Sequence, residues 1–182
     1  QKAMDEPQLN ARLAQLLQTP ASFQLRPVDD ARFILRHLGQ RGLPMMVKTL
    51  QAEELKLRTM PLQEIALVGV AANHVADDVM ALLGDRLTSL YAIRTLSRIG
   101  AKQALPHIRP LLDDMETEVR AAATQAVGVL GDEQSRKTLE AALANEKEYL
   151  DVRVNAAFAL LCLGEHAQAE QFLAEREAKK DY

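Results

Sequence analysis

Apolar residues recur at twelve, eight, four and one positions before a series of glycines, a spacing that places them on one face of a helix. The sets are Val119, Ala123, Val127 and Leu130; Val152, Ala156, Leu160 and Leu163; and Thr88, Ala92, Leu96 and Ile99, the last opening on a threonine. The stretches Val119–Gly131 and Val152–Gly164 repeat one template at an offset of 33 residues. Thr88–Gly100 is a third copy, Leu57–Gly69 a poorer one, and a partial copy ends at Leu38-Gly39. The terminal glycines Gly39, Gly69, Gly100, Gly131 and Gly164 are therefore separated by 30, 31, 31 and 33 residues. Glycine suits those places because the residue after a last helical turn commonly takes a left-handed conformation that carries a Cβ penalty in other residues.

Between the glycines lie second apolar segments, Leu43–Leu50, Val75–Leu83, Ala104–Leu112, Arg136–Leu143 and Ala167–Leu173. Each repeat thus reads as a helical hairpin. Fixed-period repetition of hairpins predicts an all-α superhelical array, an α-solenoid of about five units. The Leu57–Gly69 copy breaks the pattern at Pro61 and Glu64, which predicts a helix that starts or kinks near Pro61. Asp85, Asp114 and Asp132 precede helical stretches and are expected as N-caps. Gln8–Gln18, with Leu9, Leu13, Leu16 and Leu17 on one face, reads as a capping helix, followed by a Pro-punctuated connector from Thr19 to Pro27. The expected organisation is a cap and connector over 1–29, a repeat array over 30–174 and a polar tail over 175–182.

Composition narrows the picture. The 182 residues are 48% apolar but only 4% aromatic, without tryptophan, so the apolar material is mostly Ala, Leu and Val, suited to closely packed helices. Lys and Arg number 22 against 25 Asp and Glu, a formal charge of −3, which argues against a phosphate backbone as the main partner. Cys162 is the only cysteine, which excludes an internal disulfide or a cysteine-based zinc site and predicts a small buried hydrophobe. No apolar run reaches the roughly 18 residues that span a bilayer, so a soluble chain without membrane insertion is expected. The chain begins Gln-Lys-Ala-Met; the cytoplasm is the expected compartment, and a processed start would allow the periplasm instead.

Leu112-Asp113 through Val119-Arg120, and Asp151-Val152-Arg153, follow the order of an Asp-containing turn, Val-Arg, an Ala-rich helix and Leu-Gly. In this the chain resembles the HEAT-like repeat of phycobilin lyase subunits and many bacterial proteins, over roughly Asp30 to Leu173. The resemblance implies an α-solenoid scaffold. It also implies that turn aspartates and the arginines opening the second helices form a structural ladder, carried here by Arg58, Arg120 and Arg153, with Ser89 in the corresponding place of the third copy.

Catalytic constellations are not evident. His37, His74, His107 and His166 sit in different repeats, without a partner at the spacing of helical metal ligation. The His-Glu dipeptides that mark the iron site of HEAT-type deoxyhypusine hydroxylases do not occur. Asp29-Asp30, Glu53-Glu54, Asp77-Asp78 and Asp113-Asp114 are adjacent pairs, whose side chains diverge by about 100° on a helix and so suit caps and solvated faces. Ser89, Ser97 and Ser135 stand outside any glycine-rich nucleophile turn. The lysine and arginine clustering and the tryptophan-rich pocket of HEAT-like DNA glycosylases are missing too. No enzyme activity, cofactor or metal is expected.

The remaining candidate is the surface that stacked hairpins create. Positions nine, six and two before each glycine form an outward stripe: Tyr91, Arg94 and Arg98; Ala122, Gln125 and Val129; Asn155 and Phe158. Tyr91, Arg94, Arg98, Gln125, Asn155 and Phe158 are the candidate partner contacts, since Tyr and Arg combine buried area with directed hydrogen bonds. Arg94 and Arg98 lie one turn apart and repel each other, which favours an acidic protein or peptide partner. The expected function is a non-catalytic interaction scaffold or adaptor; the alternative is a subunit that handles a small ligand or chromophore, as bilin lyases do.

Overall fold

A computed structural model describes residues 7, 8, 11, 12, 15, 26–52 and 55–178, excluding the side chains of 26–31, 56 and 57. The capping helix expected over 8–18, the connector and the last four residues of the tail lie largely outside the described residues. The α-helices are α1 (Arg26–Leu38), α2 (Leu43–Thr49), α3 (Leu55–Val68), α4 (Ala76–Met80), α5 (Ser89–Arg98), α6 (Leu105–Ile108), α7 (Thr117–Val129), α8 (Arg136–Ala144), α9 (Leu150–Cys162) and α10 (Ala167–Ala178), with 3-10 turns between several of them. Among the described residues no strand occurs. The fold is an all-α solenoid.

Every repeat glycine ends a helix as its spacing predicts. Gly39, Gly69, Gly100, Gly131 and Gly164 have φ between 53° and 82°, and no other residue has a positive φ among those described. At Gly131 the termination is a Schellman motif: the Asp132 N–H donates to the Val127 carbonyl at 2.9 Å and the Gly131 N–H to the Gly128 carbonyl at 3.1 Å. Glu165 and Gly164 repeat it on Leu160 and Leu161. The apolar stripe is buried throughout: Thr88, Ala92, Leu96, Ile99, Ala123 and Val127 are fully enclosed, and Leu163, at 9%, is the most exposed of the set.

Two compact units, 1–99 and 100–182, divide the chain. In the first, α3 packs against α1, α2 and α5 around Leu35, Met46, Leu62, Ile65, Ile93 and Leu96, all essentially inaccessible. The Thr95 hydroxyl donates to the Leu62 carbonyl at 2.9 Å and the Asn73 amide to the Ile99 carbonyl at 3.1 Å, tying α5 to its neighbours. Of the start or kink expected near Pro61, the start does not occur: α3 runs through the proline, whose ring is buried. The lost hydrogen bond is offset by the burial of Met60, Leu62 and Ile65 on either side.

In the second unit α9 packs on α7, α8 and α10. A Cβ built on Gly128 would lie 2.5 Å from both Cα and Cβ of Ala159, so glycine here lets two helices approach closer than any side chain allows. The Asn155 amide donates to the Ala121 carbonyl at 3.1 Å across the same seam.

The turn aspartates and helix-opening arginines do fasten repeats, though not as expected. Arg58 pairs with Asp85, the turn aspartate ahead of α5. Arg120 instead pairs with Glu148, at 2.7 Å, and donates to the Asp114 carbonyl at 2.8 Å. Arg153 donates to the Leu143 carbonyl at 3.0 Å and lies 4.9 Å above the Phe172 ring. Two further pairs, Arg109–Asp132 and Arg136–Glu165, were not legible from the ladder pattern. The N-cap expectation is corrected likewise: Asp85 and Asp114 accept the backbone N–H two residues on, from Leu87 and Glu116, closing turns ahead of the helices. Asp132 is drawn to the two-pronged Arg109 contact, 2.8 Å at each oxygen, and to the Ser135 hydroxyl. At Asp132 the Arg109 hydrogen bond is the largest influence on the carboxylate and a backbone N–H from Gln134 the smallest, whereas at Asp85 the Leu87 N–H outweighs Arg58.

Candidate functional site

Helices α1, α3 and α5 each turn one polar stripe toward a shared open cleft of about 330 Å³. From α1 come Arg32 and Arg36, one turn apart; from α3 Gln63, Glu64, Ala66 and Leu67; from α5 Tyr91, Arg94, Thr95 and Arg98. Residues four apart on a helix lie one above the other, so two arginine pairs from two helices flank the α3 stripe.

Glu64 organises one side. Its side chain is 2% exposed, and Arg36 grips it with both prongs, Nε to Oε2 at 3.2 Å and Nη2 to Oε1 at 3.1 Å. Arg32 Nε stands 3.6 Å from Glu64 Oε1, while its Nη2 donates to Gln63 Oε1 at 3.2 Å. A buried carboxylate without such partners would be strongly disfavoured, so the glutamate that interrupts the apolar pattern is the anchor that holds two guanidiniums. Arg94 and Arg98 differ: both are exposed, and neither side chain has a hydrogen bond or ion pair among the described residues. Thr95 spends its hydroxyl on the Leu62 and Tyr91 carbonyls, and Leu67, 59% exposed, supplies an apolar wall beside the half-buried Tyr91.

Four guanidiniums and one carboxylate therefore line the cleft. The cleft carries an excess of positive charge on a chain whose formal net charge is −3. It can hold an anionic group through forked, charge-assisted hydrogen bonds. Among the described residues no group of three or more His, Cys, Asp or Glu side chains is placed to bind a metal ion.

The sequence-nominated contacts divide. Tyr91, Arg94 and Arg98 come together in the cleft. Gln125, Asn155 and Phe158 belong to 100–182 and are not among its lining residues. Gln125 is exposed, Asn155 is committed to the Ala121 carbonyl, and Phe158 is 52% exposed rather than turned into the core. Ala122, placed on the outward stripe by spacing, is 5% exposed and belongs to the core, while Val129 is 58% exposed. Cys162, expected buried, is exposed near the end of α9. Spacing alone did not find Arg32, Arg36 and Glu64; the available signal was that Arg32 and Arg36 repeat on α1 the one-turn separation of Arg94 and Arg98.

Comparison with known proteins bears on the frame of this site. Residues 76–161 match the family model of HEAT repeats. Over that stretch the chain carries HEAT repeats. No curated protein matches the sequence. Among solved structures, the fold is similar to an engineered protein at TM-score 0.60 and 15% identity, over 91% of this chain and 85% of that one. It is also similar to the complex of CpcE and CpcF of phycocyanin lyase from Nostoc sp., at TM-score 0.56 and 19% identity, over 96% of this chain and 83% of that one. At such identities the likeness concerns the fold. The match makes 76–161 a run of helical repeats, and no helix among the described residues is long and apolar enough to cross a membrane.

Proposed function

We propose that this HEAT-repeat scaffold is non-catalytic and holds a protein partner by an anionic segment laid in the cleft of Arg32, Arg36, Arg94 and Arg98. The observation that carries the reading is the contrast inside the cleft: Arg32 and Arg36 are held by α3, whereas Arg94 and Arg98 stand without any partner among the described residues. Two like charges one helical turn apart destabilise a helix by about 0.2–0.5 kcal/mol, and an incoming carboxylate relieves that repulsion. Tyr91 and Leu67 add apolar contact next to the charges. The lining favours binding over chemistry, since Glu64 is committed to Arg36 and the Thr95 hydroxyl to two carbonyls, leaving neither poised to take a proton from a substrate.

The test is a pull-down from source-cell lysate with the parent chain and with Arg94→Glu/Arg98→Glu. The expected outcome is loss of a specific acidic protein by the variant at an unchanged melting temperature, and weakening of the parent complex as salt rises. Retention of every partner, or recovery of nucleic acid in place of protein, contradicts the reading. A visible absorption band acquired on mixing with a bilin would favour chromophore handling instead.

A further inference from the structure

Resting on the cleft as the binding site, we infer that its occupant is a phosphorylated side chain of a protein segment, a phosphate monoester rather than a carboxylate. The count of charges is the first argument. Glu64 balances one guanidinium of the four, so three positive charges remain in excess around an opening of about 330 Å³. A carboxylate brings one negative charge and two acceptor oxygens. A phosphate monoester brings about 1.5 to 2 negative charges at neutral pH and three strong acceptors, and so engages several guanidinium forks at once.

Preorganisation is the second argument. Arg36 is clamped in two-pronged fashion on a buried carboxylate, and Arg32 is held by Gln63. In each, Nη1 has no hydrogen bond among the described residues. Two arginines whose stems are already ordered cost less side-chain entropy to engage than free ones, while Arg94 and Arg98 offer all their donors. Fixed and free forks converging on one opening suit a polyvalent oxyanion, and the Tyr91 and Leu67 walls suit the apolar neighbours of a modified residue on a peptide. A phosphodiester backbone fits less well: it spreads single charges along a track, and in 100–182 Arg109, Arg120 and Arg136 are each neutralised by a carboxylate.

Fluorescence anisotropy on the full chain tests this with three degenerate peptide pools that differ only at a fixed central position: phosphoserine, glutamate or serine. The phosphoserine pool is expected to bind at least about tenfold tighter than the glutamate pool. Inorganic phosphate should compete. Arg94→Ala/Arg98→Ala should abolish the preference without moving the melting temperature, and Arg94→Lys/Arg98→Lys, which keeps charge but loses the fork, should lose most of it. Equal binding of the glutamate and phosphoserine pools, still removed by Arg94→Ala/Arg98→Ala, overturns the phosphate inference and leaves the cleft standing. Binding that survives the alanine substitutions overturns both. Failure of every pool to bind, or displacement of the peptide by a single-stranded oligonucleotide at lower concentration, overturns the phosphate inference, with the pull-down deciding the cleft separately.

Discussion

The two compact units treat their arginines differently. In 100–182, Arg109, Arg120 and Arg136 each meet a carboxylate, and Arg153 meets a carbonyl and an aromatic face. In 1–99, Arg58 is paired in the same way, but Arg94 and Arg98 face an open cleft with no counter-ion of their own among the described residues. The helix seams differ too. Where α7 meets α9, Gly128 and Ala159 bring the backbones into contact, whereas α3 and α5 keep a cleft open above the Thr95–Leu62 hydrogen bond. One hairpin template thus yields a unit whose repeat-joining arginines are paired, although Arg176 near the end of α10 has no ion pair among the described residues, and a unit in which two arginines of one stripe face a cleft unpaired. Arginine in such repeats is glue when a carboxylate or carbonyl of the neighbouring repeat can reach it.

The largest expected effect lies at the closed seam. Gly128→Val should cost about 3 kcal/mol or prevent folding, because its side chain has no room above Ala159. Ala156→Leu, at a fully buried position, should cost about 1–3 kcal/mol. Parent-like thermal melts for both would mean that the seam is looser than described. Next comes Asp132→Ala, which removes both prongs of the Arg109 contact and the Ser135 bond and should cost about 2 kcal/mol by chemical denaturation.

Acid should act on the same half. The Arg109 hydrogen bond is the main cause holding the Asp132 carboxyl below its ordinary range, and the Arg120 hydrogen bond does the same for Glu148. Since the folded-state values lie below the unfolded ones, their stabilisation is present above the ordinary carboxylate range and is lost as pH falls through the depressed values. Melting temperature should therefore drop between pH 5 and 3 less steeply in Asp132→Asn than in the parent. Identical slopes would show that the pair does not sense the titration. The smallest effect belongs to the open half: Arg94→Ala/Arg98→Ala should leave stability within about 0.5 kcal/mol, or raise it slightly as repulsion is relieved. A clear loss of stability would make those arginines glue as well.

The frame was legible because helix termination leaves a local mark. A glycine at each helix end, with its apolar positions at fixed distances before it, needs no knowledge of distant residues, and all five glycines took the left-handed conformation. Half of the cleft was legible for the same reason, since Tyr91, Arg94 and Arg98 share one stripe of one helix. The other half depends on Arg36 reaching Glu64, 28 residues away in a repeat whose pattern is interrupted by Pro61, and periodicity has no means of pairing such residues. Ala122 was misplaced because one helical wheel was applied to every copy, and Cys162 because its residue type was weighed ahead of its place on that wheel. Ala122 is small enough to be enclosed where bulkier stripe residues stay out, and Cys162, two positions before its glycine, shares the outward side with Val129.

The claim that unspent arginine charge marks the working surface can be read directly from the arginine Nε–H resonances in an NMR titration of the chain with the phosphoserine peptide pool. The account predicts that the Arg94 and Arg98 signals shift and sharpen with added peptide, Arg32 and Arg36 move less, and Arg109, Arg120 and Arg136 stay in place. Shifts confined to the arginines of 100–182, with Arg94 and Arg98 unmoved at saturation, would contradict it.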